Sequence, residues 1–200
     1  MSYNRKLVFA AACLGMLVFG ITLTTLGAVL PSLVERFAID KAEAGSLFLL
    51  MSLGLLAGSL VFGPIVDRYG YKGMLLAASA LILLGLQAIA FAPSFGWLRV
   101  AMPLIGFGGG VINGGTNALA ADVSEEGRSA GLSLLGVFFG IGAVGVPFSL
   151  GFLLDAFSYS ALVAALGVPV LIEILYIAAI AFPRPKQAQG FPLARAARLV

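Results

Sequence analysis

Apolar residues lie in six long runs, and the short segments between the runs carry nearly all of the charge. An α-helix needs roughly 20 apolar residues to cross a bilayer, and each run is about that long or longer. The pattern therefore predicts an all-α integral membrane protein with six transmembrane helices, the first of which is too long for a cleaved signal peptide. The predicted spans cover about residues 7–33, 44–66, 73–92, 98–121, 129–153 and 160–182, so that a bundle over 1–183 is followed by a basic linker, 184–200.

The composition agrees with a membrane protein and excludes several kinds of chemistry. Of the 200 residues, 60% are hydrophobic and 10% are charged, whereas soluble domains carry roughly 25% charged residues. Histidine is absent and Cys13 is the single cysteine, which excludes a protease with a histidine base, a zinc site of the His or Cys type and an intrachain disulfide. The spans also lack paired carboxylates and a phosphate-binding loop. We predict no enzyme, no metal and no cofactor.

The placement of the basic residues predicts the orientation. With six spans both chain ends lie on one side, and nine lysines and arginines fall on that side against Arg36, Lys41 and Arg99 on the other. Cytoplasmic loops carry the excess of basic residues, so we expect both termini in the cytoplasm, in a multi-pass protein of the cell (inner) membrane. The net charge of +3 is explained by this placement, and no nucleic-acid partner is predicted.

Glycine recurs at small-xxx-small spacing, which allows close helix packing in lipid. Adding 82 to Gly54, Gly58 and Gly63 gives Gly136, Gly140 and Gly145, and the same shift relates Glu43 to Glu125. This match predicts one three-helix unit used twice. Because three is an odd number, the second copy would be inverted relative to the first, which is how many secondary transporters are built.

The segment GPIVDRYGYKG, residues 63–73, lies between the second and third runs. Gly70 can adopt the positive φ of a tight turn, and Asp67, Arg68 and Lys72 place opposite charges at a corner between helices. A hairpin that only follows the distribution of basic residues would contain basic residues and a glycine, but not this order.

The order resembles the G-x-x-x-D-R-x-G-R-[KR] signature of the major facilitator superfamily, with Gly63, Asp67, Arg68, Gly70 and Lys72 in place and Tyr71 where an arginine is usual. The segments SEEGRSAG, 124–131, and GIGAVGVP, 140–147, are similar to further motifs of the family, and the second also resembles its sugar–proton symporter branch, which includes fucose permease. The resemblance implies a six-helix half of a facilitator fold. It also implies that the 63–73 loop contacts the other half and biases which side is closed.

In that family the first and fourth helices of each half line the central cavity, so the polar residues of these helices are the candidates for substrate binding. Gly106, Gly109, Gly110, Asn113, Asn117 and Ala120 follow a three-to-four spacing and share a helix face. An amide offers both donors and acceptors, which suits a neutral polyhydroxyl or another small polar substrate. The alternative is that Asn113 and Asn117 only bond neighbouring helices.

Three further groups of residues are candidates. Thr22 and Thr25 can share a face at mid-depth of the first helix, although threonine also bonds carbonyls of its own helix. Arg99 lies at the outer end of the fourth helix, where it either binds or extends to the headgroups. Glu173 is the carboxylate well inside a span, a position that suggests a proton site because lost hydration favours the protonated form. Packing or a subunit contact is the alternative.

The resemblance predicts a secondary transporter, or its N-terminal half, that moves a small polar solute, with a sugar as one candidate, by alternating access. Such a carrier moves two bundles about a site between them, and six helices supply one bundle. The expected partners are therefore a small-molecule substrate, membrane lipid, and a second six-helix half or a homodimer partner. A transport-inactive membrane protein with a structural or regulatory role and a drug/proton antiporter-type efflux carrier are the alternatives.

Overall fold

The structure, a computed structural model, describes residues 3–124 and 128–183, and within these ranges it is helical with no strand. Five stretches are long and apolar enough to cross a membrane: α1, α2, α3, most of α4, and α5 with α6 together. The helices are α1 (Arg5–Phe37), α2 (Lys41–Ala90), α3 (Phe95–Val123), α4 (Arg128–Leu153), α5 (Tyr159–Ala165) and α6 (Gly167–Ala179). The six apolar runs fall on these helices, two of them on α2. The predicted linker, 184–200, lies outside the described residues.

Small polar residues begin several of the helices. Asn4 accepts hydrogen bonds from the first turn of α1, and Ser94 and Ser158 do the same for α3 and α5. Asp40 and Glu43 form a reciprocal capping box at the start of α2. These side chains satisfy backbone N–H groups that have no partner inside a helix, so the short polar segments between the apolar runs fix where the helices begin.

The helix α2 reverses direction at Gly70. A straight helix of 50 residues would be about 75 Å long, more than twice the roughly 30 Å hydrocarbon core of a bilayer. Gly70 has φ 73° and ψ 167°, a backbone conformation that only glycine adopts without strain. It divides α2 into a first limb, 41–69, and a second limb, 71–90.

Contacts with α3 show that the two limbs are antiparallel. In the first limb, Gly106 meets Met51 and Gly114 meets Phe62, so residue numbers rise together along the two helices. In the second limb, Gly115 meets Met74 and Gly85 meets Ile105, so the numbers run oppositely. The α2 helix is therefore a helical hairpin packed against α3.

Glycines bring the first limb of α2 into backbone contact with α3. A Cβ on Gly58 would overlap the carbonyl oxygen of Phe107, and a Cβ on Gly110 would overlap that of Leu55. Gly54 and Gly106 make the same kind of contact, with the carbonyls of Pro103 and Met51. At these positions any side chain would force the helices apart.

The helices α1 and α4 meet in the same way. A Cβ on Gly142 would overlap the carbonyl oxygen of Leu17 and lie 2.9 Å from Ile21 N, and a Cβ on Gly20 would overlap the carbonyl of Phe139 and lie 2.9 Å from Ala143 N. Gly58 and Gly110 in the first pair of helices, and Gly142 and Gly20 in the second, therefore make the same contact. Each glycine faces a backbone carbonyl of the partner helix and the backbone nitrogen four residues further along that helix.

One pair of offsets relates these two contacts. Adding 84 to Gly58, Leu55 and Ser59 gives Gly142, Phe139 and Ala143, and adding 90 to Leu17, Gly20 and Ile21 gives Phe107, Gly110 and Val111. The offset of 90 also relates Phe19 to Gly109, and these two residues contact each other directly.

The offset of 82 predicted from the sequence does not relate the glycines that make these contacts. Gly136, Gly140 and Gly145 have open space around the position of a Cβ, whereas Gly54 and Gly58 lie in backbone contact. Two residues turn a helix by about 200°, so Gly140 and Gly142 point to nearly opposite sides of α4. A single offset cannot relate both sides of the two contacts, because the chain between Gly110 and Gly142 is six residues shorter than the chain between Gly20 and Gly58.

Candidate functional site

Asn113 and Asn117 lie one turn apart on α3, and both side chains are half-buried. Asn117 Nδ2 donates to the backbone carbonyl of Asn113 at 2.8 Å and to Asn113 Oδ1 at 3.2 Å. In the described part of the chain, Asn113 Nδ2 and Asn117 Oδ1 have no hydrogen-bond partner. The amide pair therefore presents one donor group and one acceptor on a helix whose other contacts are mainly apolar.

The rest of the predicted face of α3 is occupied by other helices. Gly106 and Gly110 meet backbone carbonyls of the first limb of α2, and Gly109 packs against the Phe19 ring. Ala120 is 1% exposed. The accessible polar part of the face is the Asn113–Asn117 pair rather than the whole stripe.

The threonines of α1 are used inside their own helix. Thr22 Oγ1 donates to the carbonyl of Val18 and Thr25 Oγ1 to that of Ile21, each at 2.7 Å. The two side chains are 4% and 1% exposed. Their hydroxyl protons are therefore committed to the helix, and the side chains lie in the core of the bundle.

Arg99 is far from the amide pair. Its side chain is exposed near the start of α3, with the guanidinium carbon 6.0 Å from the centre of the Phe95 ring. The 14 residues of helix that separate Arg99 from Asn113 correspond to about 21 Å. One small molecule could not contact both at once.

The loop motif lies at one end of the bundle, which we call the Gly70 end. Gly63 and Gly70 both have open space around them, and the Arg68 guanidinium carbon lies 5.4 Å from the centre of the Tyr69 ring. Lys72 Nζ donates to the carbonyls of Ala178 and Ile180, at 2.7 and 2.9 Å. Lys72 thus caps the C-terminus of α6, a position where a cation is favourable.

Tyr71 and Asp122 form a contact that the sequence did not predict. Tyr71 is 3% exposed, and its hydroxyl donates to Asp122 Oδ2 at 2.7 Å. The bond joins the start of the second limb of α2 to the end of α3. Tyr71 stands where the family signature has arginine, so the departure from the signature was the only indication, and it did not reveal the partner.

Glu173 is 1% exposed, and neither carboxyl oxygen has a hydrogen-bond partner in the described residues. Ser79 on the second limb of α2 faces the carboxyl outside hydrogen-bond geometry, and its own hydroxyl is likewise unpaired there. Gly15 of α1 also packs closely, since a Cβ on it would lie 3.2 Å from Glu173 Oε1. The carboxyl therefore lies between three helices and not on the outer surface.

Arg36 ties three elements together at the other end of the bundle. It donates to the Tyr159 hydroxyl at 2.5 Å and to the carbonyl of Ala92 at 3.2 Å, and its guanidinium lies over the Tyr159 ring. It thereby connects the end of α1 with the end of α2 and the start of α5. From the sequence, Arg36 was predicted only to lie on the side of the membrane opposite the termini.

Comparisons with known proteins agree on the family and differ in what the relatives transport. The chain is 36% identical over 108 residues to the 3-(3-hydroxy-phenyl)propionate transporter of Escherichia coli, which covers 54% of this chain and 27% of the relative. It is 30% identical over 107 residues to the 4-hydroxybenzoate transporter PcaK of Pseudomonas aeruginosa (54% and 24%). It is 32% identical over 98 residues to the human facilitated glucose transporter member 10 of solute carrier family 2 (49% and 18%).

Among solved structures, the fold is similar to the proton:xylose symporter XylE bound to 6-bromo-6-deoxy-D-glucose. The TM-score is 0.81 at 16% identity, over 98% of this chain and 47% of that one. A partially occluded, inward-open form of XylE from E. coli gives 0.79 at 17% identity, over 99% and 53%. The chain thus spans about half of these structures and about a quarter or less of the curated relatives quoted.

The model of the Major Facilitator Superfamily matches residues 12–199. This match covers almost the whole chain and includes the Gly70 end, the amide pair and Glu173. The chain belongs to the Major Facilitator Superfamily.

Proposed function

We propose that this chain forms one six-helix half of a secondary transporter that moves a small polar solute across the cell membrane by alternating access. The observation that carries the proposal is the half-buried amide pair of Asn113 and Asn117, which keeps an unpaired donor and an unpaired acceptor on α3. Unpaired amide groups are costly in a membrane, so a bound solute that pairs with them is a reason for their presence.

The architecture we propose is two inverted three-helix repeats with both termini in the cytoplasm. The first repeat would contain α1 and the two limbs of α2, and the second α3, α4 and the α5–α6 segment. The matching glycine contacts at Gly58 and Gly142, and at Gly110 and Gly20, support this arrangement. The fold shared with XylE supports it independently.

The chemistry of the site favours a neutral hydroxylated solute over an acid. Amide groups pair well with hydroxyls. Arg99, the basic residue of α3, lies about 21 Å from the amide pair along the helix. Of the relatives quoted, one is named for glucose and two for hydroxylated aromatic acids. A sugar is therefore our first candidate, and a hydroxylated aromatic acid is the second because sequence identity favours it.

Uptake into proteoliposomes distinguishes these substrates. The chain would be reconstituted alone, to test a homodimer, and together with any six-helix half encoded beside it, and a detergent-corrected mass would establish the assembly. We expect saturable uptake of D-xylose or D-glucose and little uptake of 4-hydroxybenzoate. The reverse preference would contradict the sugar assignment. Absence of uptake in every assembly would favour the transport-inactive alternative, and proton-driven export of ethidium would favour the drug/proton antiporter.

The amide pair can be tested in the same assay. Asn113→Ala and Asn117→Ala should each raise the half-saturating substrate concentration about tenfold, the effect of losing roughly 1.4 kcal/mol of binding. Gln87→Ala is the control, because the Gln87 amide donates to Ala164 O inside the bundle. Normal half-saturation in both asparagine variants would remove the pair from the site, whatever happens to the control.

We propose Glu173 as the site of proton coupling. Its burial among three helices, beside Ser79 and Gly15, supports a carboxyl that changes protonation away from water. Glu173→Gln should abolish proton-driven accumulation and leave substrate exchange intact. Full proton-driven accumulation in this variant would reduce Glu173 to a packing residue.

We also propose that the Gly70 end takes part in gating through Asp67, Arg68 and Lys72. Lys72 bonds the end of α6, and Tyr71 bonds the end of α3. Movement of this loop would therefore displace the ends of both helices. Lys72→Met should shift the balance between the two open states, measured as altered accessibility of introduced cysteines on each side. Unaltered accessibility would contradict the gating role.

A further inference from the structure

A cleft of about 400 Å³ lies beside the N-terminal part of α1, between α4 and α6. Phe9 and Cys13 of α1 form its floor, Phe138 of α4 one wall, and Tyr176 of α6 the other. The Tyr176 hydroxyl donates to the carbonyl of Leu7 at 3.1 Å, which holds α6 against the start of α1. The volume falls in the range of roughly 300–1,000 Å³ found for small-molecule sites.

The walls of this cleft match hydrocarbon and not water. Apart from Lys6 and the tyrosine hydroxyl, which is already bonded, the lining is apolar. Leu134 at the edge of the cleft is 42% exposed. Such a surface is favourable only against lipid or protein, and the amide pair of α3 is not among the lining residues.

The mouth of the cleft is cationic. Lys6 is exposed there, and the first turn of α1 contains no acidic residue. The positive end of the helix dipole adds to the same field. The α4 sequence carries no acid, and the one acid of α6, Glu173, is buried toward Ser79 and Gly15. No described acidic side chain on these three helices therefore offsets the Lys6 charge at the mouth.

We propose that this cleft binds an anionic phospholipid, with one acyl chain between α4 and α6 and the phosphate beside the Lys6 ammonium. The inference does not depend on transport, because the cleft does not include the amide pair of α3. A second cleft, at the end of α1, provides a contrast: it is larger, about 540 Å³, but Asp40 and Lys41 line it together. Opposite charges at one mouth give no preference for an anion.

Quenching by brominated lipid measures occupancy directly. The single tryptophan, Trp97, would be replaced by phenylalanine, and a new tryptophan placed at Phe138 in the proposed site or at Phe48 in the second cleft. The 200-residue chain would be reconstituted in mixtures of brominated phosphatidylglycerol and phosphatidylcholine. Phe9→Trp serves as a second reporter in the proposed site if the Phe138 variant folds poorly.

We expect the Phe138 reporter to show about a fivefold preference for phosphatidylglycerol, the factor for one basic side chain near an anionic surface, and the Phe48 reporter to show none. Lys6→Gln should reduce the preference to near unity, whereas Lys41→Gln should leave it unchanged. Equal quenching by both lipids at Phe138 and Phe9, or a preference that survives Lys6→Gln, would overturn the proposal.

Discussion

Two pairs of helices pack in the same way at their centre and differently toward one end: α1 with α4, and the first limb of α2 with α3. At the core, Gly142 and Gly20 in one contact match Gly58 and Gly110 in the other, each against a backbone carbonyl. Beyond the core, the α2–α3 contact continues with Gly54 and Gly106. At the equivalent positions, related by the same offsets, the α1–α4 contact has Phe138 and Met16.

The difference lies in how closely the two helix pairs can approach beyond their shared glycines. Backbones that touch over four glycines form a tightly fixed pair, and this pair presents the asparagines of α3. Larger side chains at Phe138 and Met16 prevent such an approach, and Phe138 lines the cleft proposed for lipid. Besides its backbone contacts at Gly20 and Gly142, the α1–α4 pair has side-chain contacts such as Phe19 with Phe139, whose ring centres are 5.4 Å apart.

The largest loss of stability is expected when a methyl group is added inside the α2–α3 contact. Gly58→Ala and Gly110→Ala should each lower stability by about 3 kcal/mol, the upper part of the range for overpacking, because backbone on the partner helix cannot move aside. Thermal unfolding in detergent measures the effect. Gly140→Ala is the control, since nothing lies near its Cβ position. Equal loss in the control would refute the pairing of Gly58 with Gly142.

The same change in the α1–α4 contact should have a smaller effect. Gly142→Ala and Gly20→Ala should each cost about 1–2 kcal/mol, because two glycines instead of four hold this pair and α4 is exposed along much of its length. Combining Gly58→Ala with Gly142→Ala should be additive, and combining Gly58→Ala with Gly110→Ala should not. A loss at Gly142 larger than that at Gly58 would reverse the comparison.

Removing the Tyr71 hydroxyl tests whether its bond to Asp122 stabilises the packing of α2 on α3 at the Gly70 end. Tyr71→Phe should lower stability by about 0.5–1.5 kcal/mol, the usual net contribution of one intramolecular hydrogen bond, and increase proteolysis near Gly70. Tyr69→Phe is the matched control, because Tyr69 is 64% exposed. If both variants unfold like the unmodified chain, the Tyr71–Asp122 bond adds nothing to this end.

The smallest effect on stability is expected at the site itself. Asn113→Ala and Asn117→Ala should each change stability by less than about 0.5 kcal/mol, because the pair is half-buried and bonds within one helix turn. Their effect should fall on substrate affinity instead. A large loss of stability would mean that the pair is part of the α2–α3 packing and not of a binding site.

Much of the fold follows from local properties of the sequence. Six apolar runs, the polar residues that cap the helices, and Gly70 in a tight turn depend on neighbours within a few positions, so composition and order determine them. The family signature is likewise local, and five of its residues could be found from the order of the 63–73 loop alone.

Only the tertiary structure decided which residues face each other. A helix turns by about 100° per residue, so a glycine match that is two positions off selects the opposite side of α4. The offsets of 84 and 90 differ because the chain between Gly110 and Gly142 is shorter than the chain between Gly20 and Gly58. Tyr71 bonds Asp122, Glu173 packs against Gly15, and Arg36 bonds Tyr159, in each case on another helix and many positions away along the chain. Such pairings depend on how whole helices are rotated and tilted against each other, and no local pattern contains that information.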